Sequence, residues 1–268
     1  MPLLPYVALA IAVPAATLLI VSSDARAWVR GKGSVRQTMS NAGVGLVFLA
    51  TQLLLRGTLI AAYAFVAGLV PWKLPDDSVV AGLVAFVALD LVYYVQHRLE
   101  HAVPILWAIH SVHHQSHDYN LSVSFRVGAF ASLSTFCFHA LLALAGVSVQ
   151  LYAIVVTIHA VLLFGLHART KLAFGPGRFF NAPVFHRVHH GADAASIDKN
   201  FGGVLLVFDR IFGTFAPYDR EPTFGVAGDS PHMGPLSANV APFRELANRA
   251  RREPTLVGKL RVLLVPRR

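Results

Sequence analysis

Charge is scarce in this sequence. Asp, Glu, Lys and Arg make up only 14% of its 268 residues, against roughly 25% in an average soluble domain. That shortage excludes an ordinary water-facing surface and points to a chain solvated in large part by lipid. Cysteine is nearly absent. The single Cys137 rules out an intrachain disulfide, and it rules out an iron–sulfur cluster, which needs about four ligands. Lying in an apolar stretch, it reads as a small buried hydrophobe. No GxGxxG follows a strand pattern, so no nicotinamide or flavin site is expected. GKG (31–33) and GVG (43–45) read as turn and packing glycines. HExxH is missing, which counts against a zinc hydrolase.

Apolar residues are abundant, at 55%. Residues 3–22 carry no charge, and about 20 such residues suffice to cross a hydrocarbon core of ~30 Å. No basic stretch precedes them, so they read as an uncleaved anchor. Arg26, Arg30, Lys32 and Arg36 follow, which places this loop in the cytoplasm and the N-terminus outside. A second apolar run covers 39–70, interrupted by Arg56 and long enough to tilt or bend. PWKLPDD at 71–77 makes a turn, and 78–96 forms a third span. Residues 127–146 and 149–166, split by Gly146, read as a hairpin. From 171 to 243 Gly, Pro, Asp and aromatics dominate, as in a soluble cap. The basic end of the chain fits either a helix lying in the membrane surface or a solvated tail. Three parts are expected: membrane anchor helices over 1–77, a catalytic domain over 78–243 and a basic tail over 244–268. The net charge of +9 gathers beside the apolar runs and in the tail, which favours anionic lipid over nucleic acid as partner.

Histidine is concentrated. Twelve of the thirteen histidines lie between 97 and 190, many of them in HRLEH (97–101), HSVHH (110–114) and HRVHH (186–190). A helix advances about 100° per residue. His97 and His101 therefore share a face, and His110, His113 and His114 fit one arc of about 100°, as do His186, His189 and His190. Three helices converging would bring eight imidazoles together, too many for one metal of about four to six ligands and suited to two. Imidazole fits Fe, Zn, Cu and Ni. Packed without metal, each unpaired ring nitrogen would cost roughly 1–3 kcal/mol. A ligating histidine donates its other N–H to an acceptor; Asp90, Asp118, Asp193, Asp198 and Asn200 are at hand. His167, ending the hairpin at the same level, is the candidate ninth ligand. His139 and His159 lie within apolar helices and read as hydrogen-bonded core residues; His232 reads as a surface residue. If the hairpin begins and ends inside, every cluster lies on the cytoplasmic side. A metal transporter or carrier is the rival class, but transport ligands belong near mid-membrane and these fall at span ends. A haem protein using His139 and His159 is a further reading.

The ordered set DLVYYVQHRLEH, WAIHSVHHQSHDYNLS and NAPVFHRVHHGADAASIDKNFGGVLLVFDRIFGTF resembles the fatty acid hydroxylase/sterol desaturase superfamily of membrane di-iron enzymes, over roughly residues 90–125 and 165–216. DYN after the second box and DKNFGG with DRIFGTF after the third are most similar to its alkylglycerol monooxygenase-like bacterial branch. The resemblance implies an all-α, integral-membrane bundle of about four transmembrane helices with a cytosolic histidine-rich cap, in a bacterial inner membrane. It implies two Fe ions, with zinc able to substitute in purified samples, held by His97, His101, His110, His113, His114, His167, His186, His189 and His190. Asp90, Asp118, Asp198 and Asn200 would support those ligands. The implied reaction is hydroxylation of a lipid C–H bond with O₂, on a sterol, fatty acyl, carotenoid or ether lipid, with desaturation as the alternative. Electrons would come from an external donor: a ferredoxin, a b-type cytochrome or a reduced pterin. Arg98, Arg126, Arg169, Lys171 and Arg187 would dock an acidic donor or meet lipid phosphates, and Tyr93, Tyr94 and Trp107 would line the pocket or pack the core. Two departures from the branch, Ala102 in place of an acidic residue and SFRVG (124–128) in place of an LRQ-like segment, leave the ether-lipid substrate and the pterin open.

Overall fold

A computed structural model describes residues 34–170, 179–226 and 234–266, together with Ala25. The expected span at 3–22, Arg26, Arg30 and Lys32 of its basic loop, the GKG stretch, Lys171 and His232 lie outside the described residues, whereas Arg36 falls in a helix. Nine α-helices are described: α1 (Val35–Gly68), α2 (Val79–Ala102), α3 (Pro104–His114), α4 (Ala131–Leu144), α5 (Val149–Leu166), α6 (Pro183–His189), α7 (Val207–Ile211), α8 (Pro235–Arg251) and α9 (Leu256–Leu264). Between the described residues the β contacts are two isolated bridges, Phe180 with Leu205 and Gly191 with Phe224. The protein is all-α.

Local chemistry sets the helix limits. The side chains of Ser34, Ser78, Ser148 and Thr255 accept the backbone N–H of Gln37, Ala81, Leu151 and Gly258 and start α1, α2, α5 and α9, as N-caps do. α2 ends where Pro104 opens α3 and holds Val103 extended. The third span expected over 78–96 is therefore too short. No breaker intervenes before Pro104, so α2 runs unbroken to Ala102 and carries His97 and His101 on its last turns.

α1, α2 and α5 are long and apolar enough to cross a membrane, and α4 is a shorter apolar helix. Ala85 and Leu89 of α2 pack on Leu142, Val147, Leu151 and Val155. The opposite face, with Val80, Leu83, Val84, Val87 and Leu91, is exposed, as a lipid-facing surface must be. Cys137 is exposed too, against expectation. It shares a stripe of α4 with Leu133 and Leu141, four residues apart on one helix face. At about 1.5 Å per residue the 34 residues of α1 exceed the bilayer core. Its N-terminal part packs on the rest of the chain: Ser34 N–H donates to Asp118 (2.8 Å) and GVG is a packing site, where a Cβ on Gly43 would meet Pro235 and one on Gly45 would meet Phe125.

The hairpin turns at Gly146, whose φ is +89° and whose missing Cβ would sit 3.0 Å from the Trp72 ring. At the other end the cap is bolted into the helices. Asp90, fully buried, accepts the backbone N–H groups of Val204 (2.7 Å) and Leu205 (2.9 Å) and the Nε2 of His159 (2.7 Å). Gly203 passes between them, and a Cβ there would stand 2.5 Å from Asp90 Oδ1 and 2.8 Å from His159 Nε2. Overpacking at so rigid a point costs about 1–3 kcal/mol. Gly203→Ala should accordingly lower the midpoint of thermal unfolding in detergent, whereas Gly57→Ala, at a site with no neighbour within 4 Å, should leave it unchanged or raise it. Equal midpoints for the two variants would contradict this packing.

Candidate metal centre

The three histidine boxes meet at one end of the bundle and sort into two groups. His97, His101, His110, His114 and His189 form one, and His113, His167, His186 and His190 the other; within each, one ring nitrogen per residue lies within 4.8 Å of those of all the others. Helix geometry explains the sorting. Residues four apart are displaced by about 40° around a helix and residues three apart by about 60° the other way. The i, i+4 pairs His97/His101, His110/His114 and His186/His190 accordingly stay together. The i+3 residues, His113 on α3 and His189 on α6, cross to the other group. His167, at the end of α5, completes the second.

Ring orientation is fixed from outside. His97 Nδ1 donates to the Phe201 carbonyl (2.8 Å), His113 Nδ1 to the Arg126 carbonyl (2.9 Å), His189 Nδ1 to the Lys199 carbonyl (2.9 Å) and His167 Nδ1 to the Leu163 carbonyl (3.2 Å). A carbonyl can only accept, so the proton of each neutral ring sits on Nδ1 and the Nε2 lone pair is bare. His110 Nδ1 lies 3.0 Å from the Glu100 carboxylate, and His101 Nδ1 lies 3.4 Å from Asp198. The bare nitrogens then face one another: His97 Nε2 is 3.1 Å from His110 Nε2, and His113 Nε2 is 3.1 Å from His167 Nε2. No proton is left to bridge either contact. The Nε2 atoms of His101, His189 and His190 are buried with no hydrogen-bond partner. Converging, unprotonated and desolvated lone pairs in two adjacent groups fit two cations with nitrogen preference.

The surroundings keep these rings neutral. Burial, then neighbouring imidazoles, hold His113, His114, His186, His189 and His190 well below the ordinary histidine range. Burial lowers His167 to about 4, against the pull of the Leu163 carbonyl. A cavity of about 480 Å³ reaches His101, His114 and His189, between Trp107, Ile197 and Phe201.

Of the four expected supporting residues, Asp198 touches a clustered histidine. Asp90 is turned away from the clusters, bound to His159 and to the cap backbone; the shared helix face with His97 is real, but the acceptor His97 uses is the Phe201 carbonyl. Asp118 pairs with Arg169 and accepts from Asn120 (3.0 Å). Asn200 binds the Phe185 and Ala216 carbonyls, and Asp193 binds Thr223. His139 lies 2.7 Å from the Tyr152 hydroxyl, outside both groups like His159. Two expected docking cations are unsuited to that role. Arg126 is fully buried and donates to the Val112 carbonyl, Ser40, Asn41 and Gln115. Arg187 is buried beside Glu221 (3.1 Å) and over the Tyr119 and Tyr218 rings. Glu100 was missed. It is the sole acidic residue inside any box, which is the signal that could have found it. Its carboxylate also accepts from Gln96 (2.9 Å) and Ser134 (2.7 Å).

The architecture is that of a helical membrane protein with a buried double histidine centre at the end of its spans. A model of the family described as fatty acid hydroxylase matches residues 82–214, from α2 to Thr214, and the chain belongs to that family. The chain is 32% identical to alkylglycerol monooxygenase of Danio rerio over 218 residues, which is 78% of this chain and 48% of that protein. It is 32% identical to the Homo sapiens alkylglycerol monooxygenase over 209 residues, 74% of this chain and 46% of the relative. With the ornithine lipid hydroxylase OlsE of Rhizobium tropici it shares 28% identity over 150 residues, 50% of this chain and 42% of that protein. The chain thus spans about half the length of the curated relatives it matches. No solved structure matches it.

Two outcomes follow from the geometry. The folded state holds His167 at about 4, below its ordinary 6.5, so the unfolded chain binds more protons between those values and stability is lost as pH falls from about 6.5 towards 4. Metal-free protein in detergent should melt at a lower temperature at pH 5 than at pH 7.5; an unchanged or higher midpoint would refute the neutral cluster. Glu100→Leu removes the acceptor of His110, and loss of such a partner costs about 10–100-fold in metal affinity. Competition with a chelator for ferrous ion measures it, with Gln52→Leu on the outer part of α1 as the reference that should not change.

Proposed function

We propose that this chain is a membrane-bound di-iron hydroxylase acting on a lipid. The observation that carries the reading is the pair of facing, unprotonated Nε2 contacts, His97 with His110 and His113 with His167, which a cation relieves and a hydrogen bond cannot. His97, His101, His110, His114 and His189 would hold one iron and His113, His167, His186 and His190 the other. Two iron ions, once bound, supply O₂ reduction with two external electrons, so that R–H, O₂, two electrons and two protons yield R–OH and water. The protein's own share is positional. The carbonyls of Phe201, Arg126, Lys199 and Leu163 fix the tautomers, Glu100 orients His110, and Asp198 orients His101. Burial keeps the ligands neutral and excludes water from the oxidising centre.

The names of the relatives, monooxygenase and hydroxylase, support hydroxylation over desaturation on the same centre. No cofactor fingerprint for a nicotinamide or flavin occurs in the sequence, which supports an external donor: a ferredoxin, a b-type cytochrome or a reduced pterin. The basic residues after 3–22 support a cytoplasmic face for the centre in a bacterial inner membrane. The division into anchor (1–77), catalytic part (78–243) and basic tail (244–268) is retained, with α8 crossing the last boundary and lying against α3.

The test is a comparison of lipid extracts. A strain lacking the gene should regain lipids one oxygen atom heavier when the wild-type chain is restored, and not with His113→Ala. Purified wild-type protein should carry two iron ions per chain. Full rescue by His113→Ala would remove the metal-dependent role.

A further inference from the structure

The two histidine groups do not have equal access to the outside. The cavity of about 480 Å³ is lined by His101, His114 and His189, all from the five-histidine group. Among the described residues, none of His113, His167, His186 and His190 lines it. Trp107, Pro104, Ile197, Phe201, Ala102 and Val226 form its apolar walls, and Arg98 and Asp198 add its charges. Asp198 is engaged with His101. Arg98 is exposed; its side chain makes one long contact, 3.5 Å to the Tyr94 hydroxyl, and no ion pair with any described acid.

The place of Arg98 tells where the cavity opens. On α2 it falls seven residues after Leu91 and three after Val95, both exposed apolar residues, so it shares their lipid-facing side. Ile211 and Phe212 of the cap are exposed at 67% and 50%, and Phe212 stacks on Tyr94 with ring centres 5.4 Å apart. Large apolar side chains left uncovered beside a spanning helix belong in the bilayer interface. The mouth thus lies at the level where lipid headgroups meet acyl chains. An unpaired guanidinium there is matched to phosphate or carboxylate oxygens.

We infer that this cavity admits a membrane lipid sideways from the leaflet, that Arg98 holds its anionic headgroup, and that the five-histidine group is the one that meets the substrate. The assignment rests on the lipid hydroxylase reading and narrows it to lipids with an anionic headgroup. Asp198 does not compensate the guanidinium, since its carboxylate faces His101.

The experiment pairs lipid binding with turnover on the full, iron-loaded protein, the turnover arm supplied with O₂ and, in parallel, with a reduced ferredoxin, a reduced b-type cytochrome or a reduced pterin as the two-electron source. Native mass spectrometry reads retained phosphatidylglycerol (anionic), phosphatidylcholine (zwitterionic) and diacylglycerol (neutral), and oxygenated product is read from the same lipids. Wild type should retain phosphatidylglycerol most strongly. Arg98→Gln should weaken its retention about tenfold, as expected for a charge-assisted bond, and leave diacylglycerol unchanged. Ala102→Phe, filling the cavity from α2, should abolish retention and turnover while two irons remain, and Ile197→Trp should do so from the opposite wall. If both filled variants keep wild-type retention, the cavity is not the lipid site. If Arg98→Gln weakens all three lipids equally, or wild type retains phosphatidylcholine as well as phosphatidylglycerol, the headgroup assignment falls. If wild type yields no oxygenated lipid while the retention pattern holds, the hydroxylase reading fails and the binding site stands.

Discussion

Everything in this structure turns on ring nitrogens that face one another without a proton between them. A buried polar atom without a partner costs roughly 1–3 kcal/mol, and the centre gathers nine imidazoles. The outward nitrogens of six are answered by carbonyls or carboxylates, while His186 Nδ1 is buried without a partner. The inward ones oppose each other at about van der Waals contact. A chain that meant to bury neutral histidines for packing would alternate donors and acceptors. Here carbonyls and carboxylates draw the protons of six rings to the outside, so that the contacts of His97 with His110 and of His113 with His167 set lone pair against lone pair.

The fold serves that surface through links that run some distance. Asp90 and His159 lie well down the spans, yet they grip the backbone of 203–205. Asp209 accepts the N–H groups of Phe201 (2.8 Å) and Gly202 (2.7 Å). Together they hold the one peptide whose carbonyl orients His97. On the other side Arg126, buried among Ser40, Asn41 and Gln115, presents its own carbonyl to His113. Three buried charged residues that touch no inward ring nitrogen, Asp90, Asp209 and Arg126, thereby govern two histidine tautomers. Buried charges are retained where they are fully bonded, and all three are.

Much of this was legible in the residues. Periodicity located the apolar helices, and the i, i+3, i+4 spacing foretold that each box would point inward. It also contained, unread, the rule by which the i+3 member departs to the second group. What could not be read was the acceptor set. Four acceptors are backbone carbonyls, which every residue carries, so no side chain marks Phe201, Lys199, Leu163 or Arg126 for the task. The nearby acids Asp90, Asp118 and Asp193 drew attention for their chemistry, and the fold employs them elsewhere. Arg126 and Arg187 read as surface cations from the sequence because charge usually lies outside; each has enough partners to be held within. Cys137 shows the converse. In a bilayer an apolar stretch has no obligation to be buried, so the soluble-protein rule misplaces it.

One consequence of the sorting concerns how the centre assembles. α3 sends His110 and His114 to one group and His113 to the other, and α6 divides His186 and His190 from His189 in the same way. Neither group can be completed without fixing both helices, so an ion held by one group would pre-organise the histidines of the other. Loading should therefore be steeply concerted, with singly filled molecules scarce at any concentration of ion.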